Sequence, residues 1–310
     1  MSIATEISRL QTAKADIKTA IEAKGVTVPS NATLDTYDTY VSQISGGGGT
    51  NYLTQYANKA LSGAIGSTQI GSIADPSTGA GGWNMSYFLE GNDNMTSLDL
   101  SSSTFTDIRG SYFCTWCTGL TSLTLPTTCT KLNGSYFCYN TGLTSFTVPS
   151  QVTQIGGNFL NNCANLTSVT VPSTVTNVGP NLCLGSTSGN LSSGLQRLVF
   201  QANINNIPMA TARYCNDLNY VDIASSVTKI NNQAFAVNSN NATELIVVIR
   251  NTDAMVTLNS SSSSSGGPFY RRTNVKVYVP SALKSTYEAN SNWIASGGIT
   301  FYDLEGSQYE

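Results

Sequence analysis

Apolar and hydroxyl-bearing residues alternate in a short phrase that recurs along the chain. The phrase reads LTSLTLP at Leu120–Pro126, LTSFTVP at Leu143–Pro149 and LTSVTVP at Leu166–Pro172, with a decayed copy at Met95–Leu100. Such alternation predicts short strands with one buried face. The copies begin 23 to 25 residues apart, which is the period of a solenoid whose repeats are stable only when they are stacked.

Two further phrases keep the phase of these strands. The phrase Ser-Tyr-Phe occurs at Ser86–Phe88, Ser111–Phe113 and Ser135–Phe137. An apolar pair three residues apart follows the strand phrase at Val152/Ile155, Val175/Val178, Ile204/Ile207 and Val227/Ile230. Each coil is therefore predicted to give two apolar ledges and one bulky plug to a continuous core.

The first 45 residues follow a helical pattern instead. Between residues 3 and 24, apolar positions recur in steps of four and three, the spacing of a coiled-coil seam. The seam consists of Ile3, Ile7, Leu10, Lys14, Ile17 and Ile21. A helix of this length is marginal alone in water, and isoleucine at both seam positions favours three or more strands. We predict a homotrimer; the alternative is a helix that packs on its own chain.

The chain divides at a glycine run. We predict a helical oligomerisation and anchoring segment at 1–45, a glycine linker at 46–50 and a solenoid at 51–310. A second short helix is expected near Thr33–Ile44. A cap must close the open end of the solenoid, and we place it at about 268–310. It is predicted to contain a strand at Val275–Val279, a helix capped by Ser281 and a last strand at Ile299–Tyr302.

Composition excludes several functions. Charged residues are 11% of the chain and the net charge is −3, so we expect no nucleic-acid partner, which needs clustered basic residues. The N-terminus carries frequent charges and no continuous apolar core, so neither a signal peptide nor membrane insertion is expected. Histidine is absent, which removes the commonest general base and zinc ligand. The glycine run lacks the flanking residues of a phosphate loop, and we expect no cofactor.

The seven cysteines fit the repeat better than a disulfide or metal framework. Cys117, Cys163 and Cys215 each precede a repeat leucine by three residues, and Asn92 and Asn140 fill the same place in other copies. This exchange predicts a buried turn position that faces backbone groups. Cys114 and Cys117 form a C-x-x-C, but no second C-x-x-C accompanies it, so we interpret it as structural and expect no metal site.

The remaining candidates for chemistry are acids and aromatic residues. Asp99, Asp107, Asp217 and Asp222 show no repeated or clustered pattern and are interpreted as solvated surface groups, so no catalytic residue is assigned. An exposed flat ring can stack on a sugar or pack against a protein. On that ground Trp116, Tyr139 and Tyr220 are the candidate receptor-binding residues, although most aromatic residues of a solenoid serve its packing.

The repeat phrases resemble the BspA-like leucine-rich repeat over about residues 80–250. The residues that carry the resemblance are Phe159, Cys163, Leu166, Val169, Val171, Pro172, Val175, Val178 and Gly179, with Ile230, Ala234 and Phe235 in a later coil. The resemblance implies a leucine-rich-repeat β-solenoid. Together with the coiled-coil helices predicted for the N-terminus, it gives an α+β fold class for the chain. In that family the motif residues are structural, and the proteins are associated with surface attachment.

The first 45 residues are similar to the N-terminal segments of fibre-like virion proteins from phages of gut bacteria. The matching residues are Ile17, Ala20, Ile21, Ala23, Lys24, Gly25, Val26, Val28, Pro29, Ala32 to Leu34, Tyr37 and Val41 to Ile44. This similarity implies a non-enzymatic short fibre or decoration protein on a phage particle, made in the host cytoplasm. Its N-terminus would bind other virion proteins, and its solenoid would bind a glycan or protein on the host surface. A bacterial surface adhesin and a glycan-cleaving fibre enzyme are the alternatives.

Overall fold

A computed structural model of the chain describes two compact units, Met1–Thr54 and Gln55–Glu310. The described residues are 3–23, 26–33, 36–37, 40, 68–69, 89–91, 93, 95–101, 106–185, 194–238, 243–260, 266–295 and 298–310. The predicted glycine linker, most of the predicted second helix and the first Ser-Tyr-Phe phrase lie outside them.

In the N-terminal unit, helix α1 spans Ile3–Glu22, and Tyr37 and Tyr40, within the predicted second helix, are also helical. Ile21 is 2% exposed and packs in a small core with Val26, Val28, Ala32 and Tyr37. Ile17, one turn earlier, is 38% exposed. Lys14 lies 5.9 Å from the centre of the Tyr37 ring, and the side chains of residues 3–10 lie outside the description. At Ile21, therefore, the helix packs on its own chain, as in the alternative to the coiled coil.

The second unit is a β-solenoid of parallel strands, as the repeats predict. Its strands are β1 Thr68–Gln69, β2 Ser97–Asp99, β3 Asp107–Ile108, β4 Ser122–Thr124, β5 Lys131–Leu132, β6 Gln154–Ile155, β7 Ser168–Val171, β8 Asn177–Val178, β9 Arg197–Phe200, β10 Asn206–Ile207, β11 Tyr220–Ile223, β12 Lys229–Ile230, β13 Leu245–Ile249, β14 Thr257–Leu258, β15 Val275–Val279 and β16 Ile299–Asp303. The strands of the repeat phrases lie in sheets of the orders β1-β2-β4 and β16-β15-β13-β11-β9-β7. The sheets β3-β5-β6-β8 and β10-β12-β14 consist entirely of two-residue strands.

The repeat phrases account for the core. Leu98, Leu123 and Val169 point inward from β2, β4 and β7, while the flanking Ser and Thr residues face outward. The apolar pairs form the second ledge, with Val152, Ile207 and Ile230 buried. The copy at Leu143–Pro149 keeps this alternation at residues 145–148 but does not form a strand. One contiguous apolar core thus runs through the stacked coils.

The C-terminal cap contains two helices, α2 at Ser281–Ala289 and α3 at Ser291–Ile294, which place Tyr287 and Trp293 in the core. The prediction that Ser281 caps the first helix is wrong, because the N-cap is Pro280 and offers no side-chain acceptor. Ser281 is the first helical residue, and Oε2 of Glu305 accepts hydrogen bonds from its N–H and hydroxyl at 2.8 and 2.7 Å. A carboxylate from the chain's end therefore takes the place of the missing cap.

Arg272 is a buried cation that spans several coils. Its guanidinium donates to the carbonyl oxygens of Phe235 at 2.8 Å, Cys215 at 3.0 Å, Leu218 at 3.1 Å and Thr243 at 3.3 Å. Burial lowers its pKa to about 10, so it remains protonated at neutral pH. Its fork of donors thus joins carbonyl groups of different coils through four hydrogen bonds.

Candidate aromatic binding surface

A third stacked segment in each coil carries the candidate site. It is a turn of five residues, such as 112–116 in one coil and 136–140 in the next. The first, third and fifth N–H groups donate to carbonyls of the following coil, as in Tyr112 to Ser135, Cys114 to Phe137 and Trp116 to Tyr139, at 2.8 to 2.9 Å. We call these segments the turn rows.

The turn rows hold a left-handed backbone at their first and fifth residues. The φ angles are +63° and +61° at Tyr112 and Trp116, and +56° and +55° at Tyr136 and Asn140. Asn158, Asn162, Asn181 and Gly91 also have positive φ in equivalent places. Asn and Gly suit this backbone, whereas a bulky side chain there is uncommon. The aromatic residues at these positions are thus unfavourable for the backbone.

Side chains of neighbouring turn rows stack like on like. Inside the solenoid, Phe113, Phe137 and Phe159 form a continuous stack with ring centroids 4.9 Å apart. On the outer surface, the rings of Tyr112 and Tyr136 are stacked, with their centroids 5.0 Å apart and an angle of 1° between their planes. The spacing follows from the distance between hydrogen-bonded strands, about 4.8 Å.

Two more rings join this outer stack. Trp116 meets Tyr139 edge to face at 5.4 Å, and Tyr139 meets Tyr136 in the same manner at 5.7 Å. The Trp116 side chain is 50% exposed, and the three tyrosines are half-buried. Tyr112, Trp116, Tyr136 and Tyr139 together form what we call the aromatic cluster. Such a surface can stack on flat apolar ligand faces, while the phenolic groups offer hydrogen bonds.

The structure brings two of the three candidate receptor residues together. Trp116 and Tyr139 are in contact, and Tyr112 and Tyr136 extend the surface. Sequence reasoning missed the last two because it took the repeated Ser-Tyr-Phe phrase as a core signature. The Phe is a core residue, but the Tyr before it faces outward. The repetition of Tyr at one place in successive coils was the signal available for finding it.

Tyr220, the third candidate, lies on β11 in the six-stranded sheet. The Arg197 guanidinium lies 3.9 Å from the centre of the Tyr220 ring. The Tyr220 hydroxyl donates to Oδ2 of Asp222 at 3.2 Å. Tyr309, near the C-terminus, packs 5.8 Å away. Burial, together with the nearby Asp222 carboxylate, raises the pKa of Tyr220. These contacts give Tyr220 a structural role in holding the last residues against the sheet.

The cysteine thiols bond to the backbone of the preceding coil, as the repeat position predicts. Sγ of Cys117 donates to Leu89 O at 2.8 Å, that of Cys163 to Cys138 O at 3.0 Å, and that of Cys215 to Cys183 O at 2.9 Å. All seven cysteines are buried and none forms a disulfide. Burial raises the pKa of Cys163 to about 11 and that of Cys129 to about 12. The C-x-x-C is accordingly part of the core.

The predicted equivalence of Asn140 with these cysteines is wrong by one residue. Asn140 has positive φ and donates to Asn161 O, which places it with Trp116 and Asn162. Thr141 occupies the cysteine position instead. It is buried, and its hydroxyl lies 3.2 Å from Sγ of Cys163.

Two of the acids are not solvated as predicted. Asp107 is buried beside Arg109, whose Nε lies 2.8 Å from its carboxylate. Asp222 is buried and accepts two hydrogen bonds from Arg250, at 2.8 and 2.9 Å. Arg250 is 28 residues from Asp222, so the sequence gave no local sign of this pair, whereas Arg109 is only two residues from Asp107.

Within the described residues, no group of three His, Cys, Asp or Glu side chains could hold a metal ion. No helix among them combines the length and apolar character required to cross a bilayer.

Solved structures similar to this chain include three leucine-rich repeat proteins. One from Bacteroides ovatus is 16% identical, with a TM-score of 0.46, and the match covers 69% of this chain and 56% of that one. The T. pallidum leucine-rich repeat protein is 16% identical, with a TM-score of 0.37 and coverage of 75% and 79%. A leucine-rich cell surface protein from Faecalibacterium prausnitzii is 19% identical, with a TM-score of 0.26 and coverage of 70% and 59%.

The chain spans 56% of the length of the Bacteroides ovatus protein. No curated protein matches it significantly. The family model for the BspA type leucine-rich repeat region matches in six copies over residues 85–189 and 184–253. These residues make up more than half of the 310-residue chain and contain the strand phrases, the cysteines and the aromatic cluster. The chain therefore belongs to the BspA type leucine-rich repeat family.

Proposed function

We propose that this chain is a non-enzymatic binding protein that attaches to a cell-surface glycan or protein through the aromatic cluster. The observation that carries the proposal is the exposed Trp116 ring, held against Tyr139 at a left-handed backbone position. The fold alone would be served as well by Asn, which stands there in the next two coils. An aromatic residue at this place therefore serves a contact outside the fold.

The surroundings of the cluster suit recognition by stacking and hydrogen bonds. The outward positions of β4 and β7 are occupied by Ser122, Thr124, Ser168 and Thr170. Two acids, Glu90 and Asp93, lie in the coil before Trp116. Hydroxyl groups and carboxylates suit a ligand that donates hydrogen bonds and carries no negative charge, so the proposal includes no nucleic-acid partner.

The particle to which we assign the chain is a phage virion. This assignment rests on the similarity of residues 1–45 to the N-terminal segments of fibre-like virion proteins. In the proposal those residues bind other virion proteins and hold the chain as a homotrimer, as a short fibre or decoration protein on the particle surface. The exposed Ile17 supports a helix-to-helix contact, since its side chain offers apolar surface that a second helix could cover.

Binding to intact cells tests the proposal. Fluorescently labelled full-length protein is titrated onto a panel of gut bacterial strains, together with a Trp116→Ala/Tyr139→Ala variant. A matched control, Tyr302→Ala, removes an exposed aromatic residue from β16, away from the cluster. We expect saturable binding of the wild type and the control to at least one strain, and a loss of about tenfold or more for the double variant. Binding by none of the strains, or equal binding by all three proteins, would overturn the proposal.

Immunogold imaging tests the virion assignment separately. An antibody to residues 51–310 is expected to label particles of a phage that encodes this chain. Unlabelled particles, with the protein detected on bacterial cell surfaces instead, would contradict it while leaving the binding function intact.

A further inference from the structure

We propose that the aromatic cluster binds a neutral pyranose ring in a notch between Trp116 and Gly91. The inference rests on the proposed binding function and names the chemistry of its ligand. It follows from what stands beside Trp116 in the preceding coil, from the polar groups next to it and from the backbone conformation of both residues.

Gly91 occupies the place of Trp116 one coil earlier. Its N–H donates to Thr115 O at 2.9 Å, just as the Trp116 N–H donates to Tyr139 O. Both residues have a left-handed backbone, with φ of +71° and +61°. Side chains at equivalent places in neighbouring coils stack on one another, as Tyr112 and Tyr136 do. Gly91 contributes no side chain to stack on Trp116.

Among the described residues, the space beside Gly91 is open, because a Cβ placed on this residue would have no heavy atom within 4 Å. Tyr139 supports the indole from the following coil at 5.4 Å. The described part of the chain thus backs the ring on the side of Tyr139 and places no side chain on Gly91 at the other. We call this gap the Gly91 notch. An indole exposed in this way can accept a flat, partly apolar ring about 4 to 5 Å away.

Two acids lie within two residues of Gly91 in the sequence. Asp93 lies two residues after Gly91, and its Oδ1 accepts a hydrogen bond of 2.8 Å from the hydroxyl of Thr118, which lies two residues after Trp116. The Asp93 carboxylate is therefore fixed between the two coils that form the notch. Glu90 precedes Gly91 and is half-buried. Carboxylates accept hydrogen bonds from hydroxyl groups and repel anions.

These features together select the ligand class. A pyranose ring presents an axial C–H face to stack on indole, and equatorial hydroxyls that donate to carboxylates at its rim. A uronic or sialic acid would bring a negative charge close to Asp93 and Glu90, so acidic sugars are disfavoured. An apolar protein side chain could also stack on Trp116, but it would bring no hydroxyl group to donate to the carboxylates.

An oligosaccharide microarray tests the inference with the full-length protein. The array carries neutral hexose and deoxyhexose glycans beside uronic-acid and sialylated glycans. Three proteins are compared: the wild type, Trp116→Asn, and the matched control Tyr214→Asn. Tyr214 also has positive φ, at +65°, but its ring is covered by Arg213, 4.2 Å from the ring centre. Asn already stands at the place of Trp116 in the next coil, as Asn140, and Asn tolerates the left-handed backbone of Tyr214, so both variants are expected to fold.

We expect wild-type binding to neutral glycans, a loss of about tenfold or more in affinity for Trp116→Asn, and unchanged binding for Tyr214→Asn. Adding a side chain to the notch, as in Gly91→Asn, should weaken binding comparably while keeping the left-handed backbone. Binding confined to acidic glycans, or equal binding by Trp116→Asn, overturns the inference. A wild type that binds cells but no glycan also overturns it and leaves the proposed function standing with a protein ligand. Failure to bind either glycans or cells overturns both.

Discussion

Trp116, Tyr112 and Tyr136 occupy backbone positions that favour Asn or Gly. A left-handed conformation costs a bulky residue about 1 to 2 kcal/mol, and the contact of Trp116 with Tyr139 returns about 0.5 to 1.5 kcal/mol. We therefore expect Trp116→Asn to change the free energy of unfolding by less than about 1 kcal/mol. Urea denaturation followed by circular dichroism measures this change. A loss of several kcal/mol would mean that the indole is a core residue and would remove the argument for an external contact.

The thiols provide a second prediction at the same scale. All seven are buried, so the native protein should resist iodoacetamide near pH 8, whereas the urea-unfolded chain should react fully. Burial raises the pKa of Cys163 to about 11 and of Cys129 to about 12, above the value of about 8.5 in an unfolded chain. Below about pH 8.5 both the folded and the unfolded chain keep these thiols protonated, so they do not change the free energy of unfolding. Between about pH 8.5 and about 11 to 12 only the unfolded chain loses the protons, so the stability of the fold falls as pH rises. Rapid alkylation of folded protein would contradict this.

Helix α1 separates two roles that the heptad pattern could not distinguish. The spacing assigns Ile17 and Ile21 to one seam, yet Ile21 is 2% exposed within its own unit and Ile17 is 38% exposed. The reason is that Val26, Val28 and Tyr37 return along the chain to cover Ile21. A periodic pattern shows which residues need burial, but not whether the cover comes from the same chain or another.

A pair of substitutions tests this division. Ile17→Asp should convert a trimer to monomers and leave the N-terminal core intact, because the residue lies outside that core. Ile21→Asp should unfold the core, because it buries a charge without a partner, at a cost of several kcal/mol. Light scattering gives the oligomeric state and circular dichroism the helix content. A monomeric wild type would refute the coiled-coil proposal.

In the solenoid, the cap depends on Arg272. Its guanidinium donates four hydrogen bonds to carbonyls of the preceding coils. Arg272→Met keeps much of the volume but removes all four charge-assisted hydrogen bonds, so a loss of roughly 3 to 5 kcal/mol is expected. Arg272→Lys should recover only part of it, because one ammonium group cannot reproduce the fork. Thermal unfolding of the variants would contradict this assignment if Arg272→Met were as stable as the wild type.

Strands were predictable from the sequence where alternation was strict, as in β4 and β7, because burial of one face imposes a period of two. The turn rows were not predictable, because their backbone is set by hydrogen bonds between coils. The coil that contains Asn140 shows why. Leu143 is three positions after Asn140, whereas Leu120 is four positions after Trp116. Counting back from the leucine therefore pairs Asn140 with Cys117, while the hydrogen bonds place Thr141 there.

The dependence of the turn rows on hydrogen bonds between coils also limits how much of the aromatic cluster can be predicted from the sequence. Exposed aromatic residues can be suspected from composition, and Trp116 and Tyr139 were found in this way. Their contact, and the open space at Gly91, depend on which residues stack across coils. Tyr220 looked equivalent to them in the sequence, but the chain's last residues pack against it, with Tyr309 at 5.8 Å. A contact over such a sequence separation leaves no local pattern.

For the whole molecule, the proposals join an oligomeric anchor to a binding surface of low charge. A trimer would present three aromatic clusters. Three sites of modest affinity could together bind a cell surface roughly 10² to 10⁴ times more tightly than one site alone. Because the net charge is −3 and charged residues are 11% of the chain, attachment should depend little on salt.

Hydroxyl-radical footprinting of the full-length chain, free and bound to intact gut bacterial cells, tests the central claim most directly. Mass spectrometry measures oxidation residue by residue. The account predicts that binding protects Trp116 and Tyr139, while Tyr302, which is 36% exposed on β16, keeps its reactivity. Bound protein in which Trp116 is oxidised as fast as in the free chain would contradict the assignment of the aromatic cluster as the binding surface.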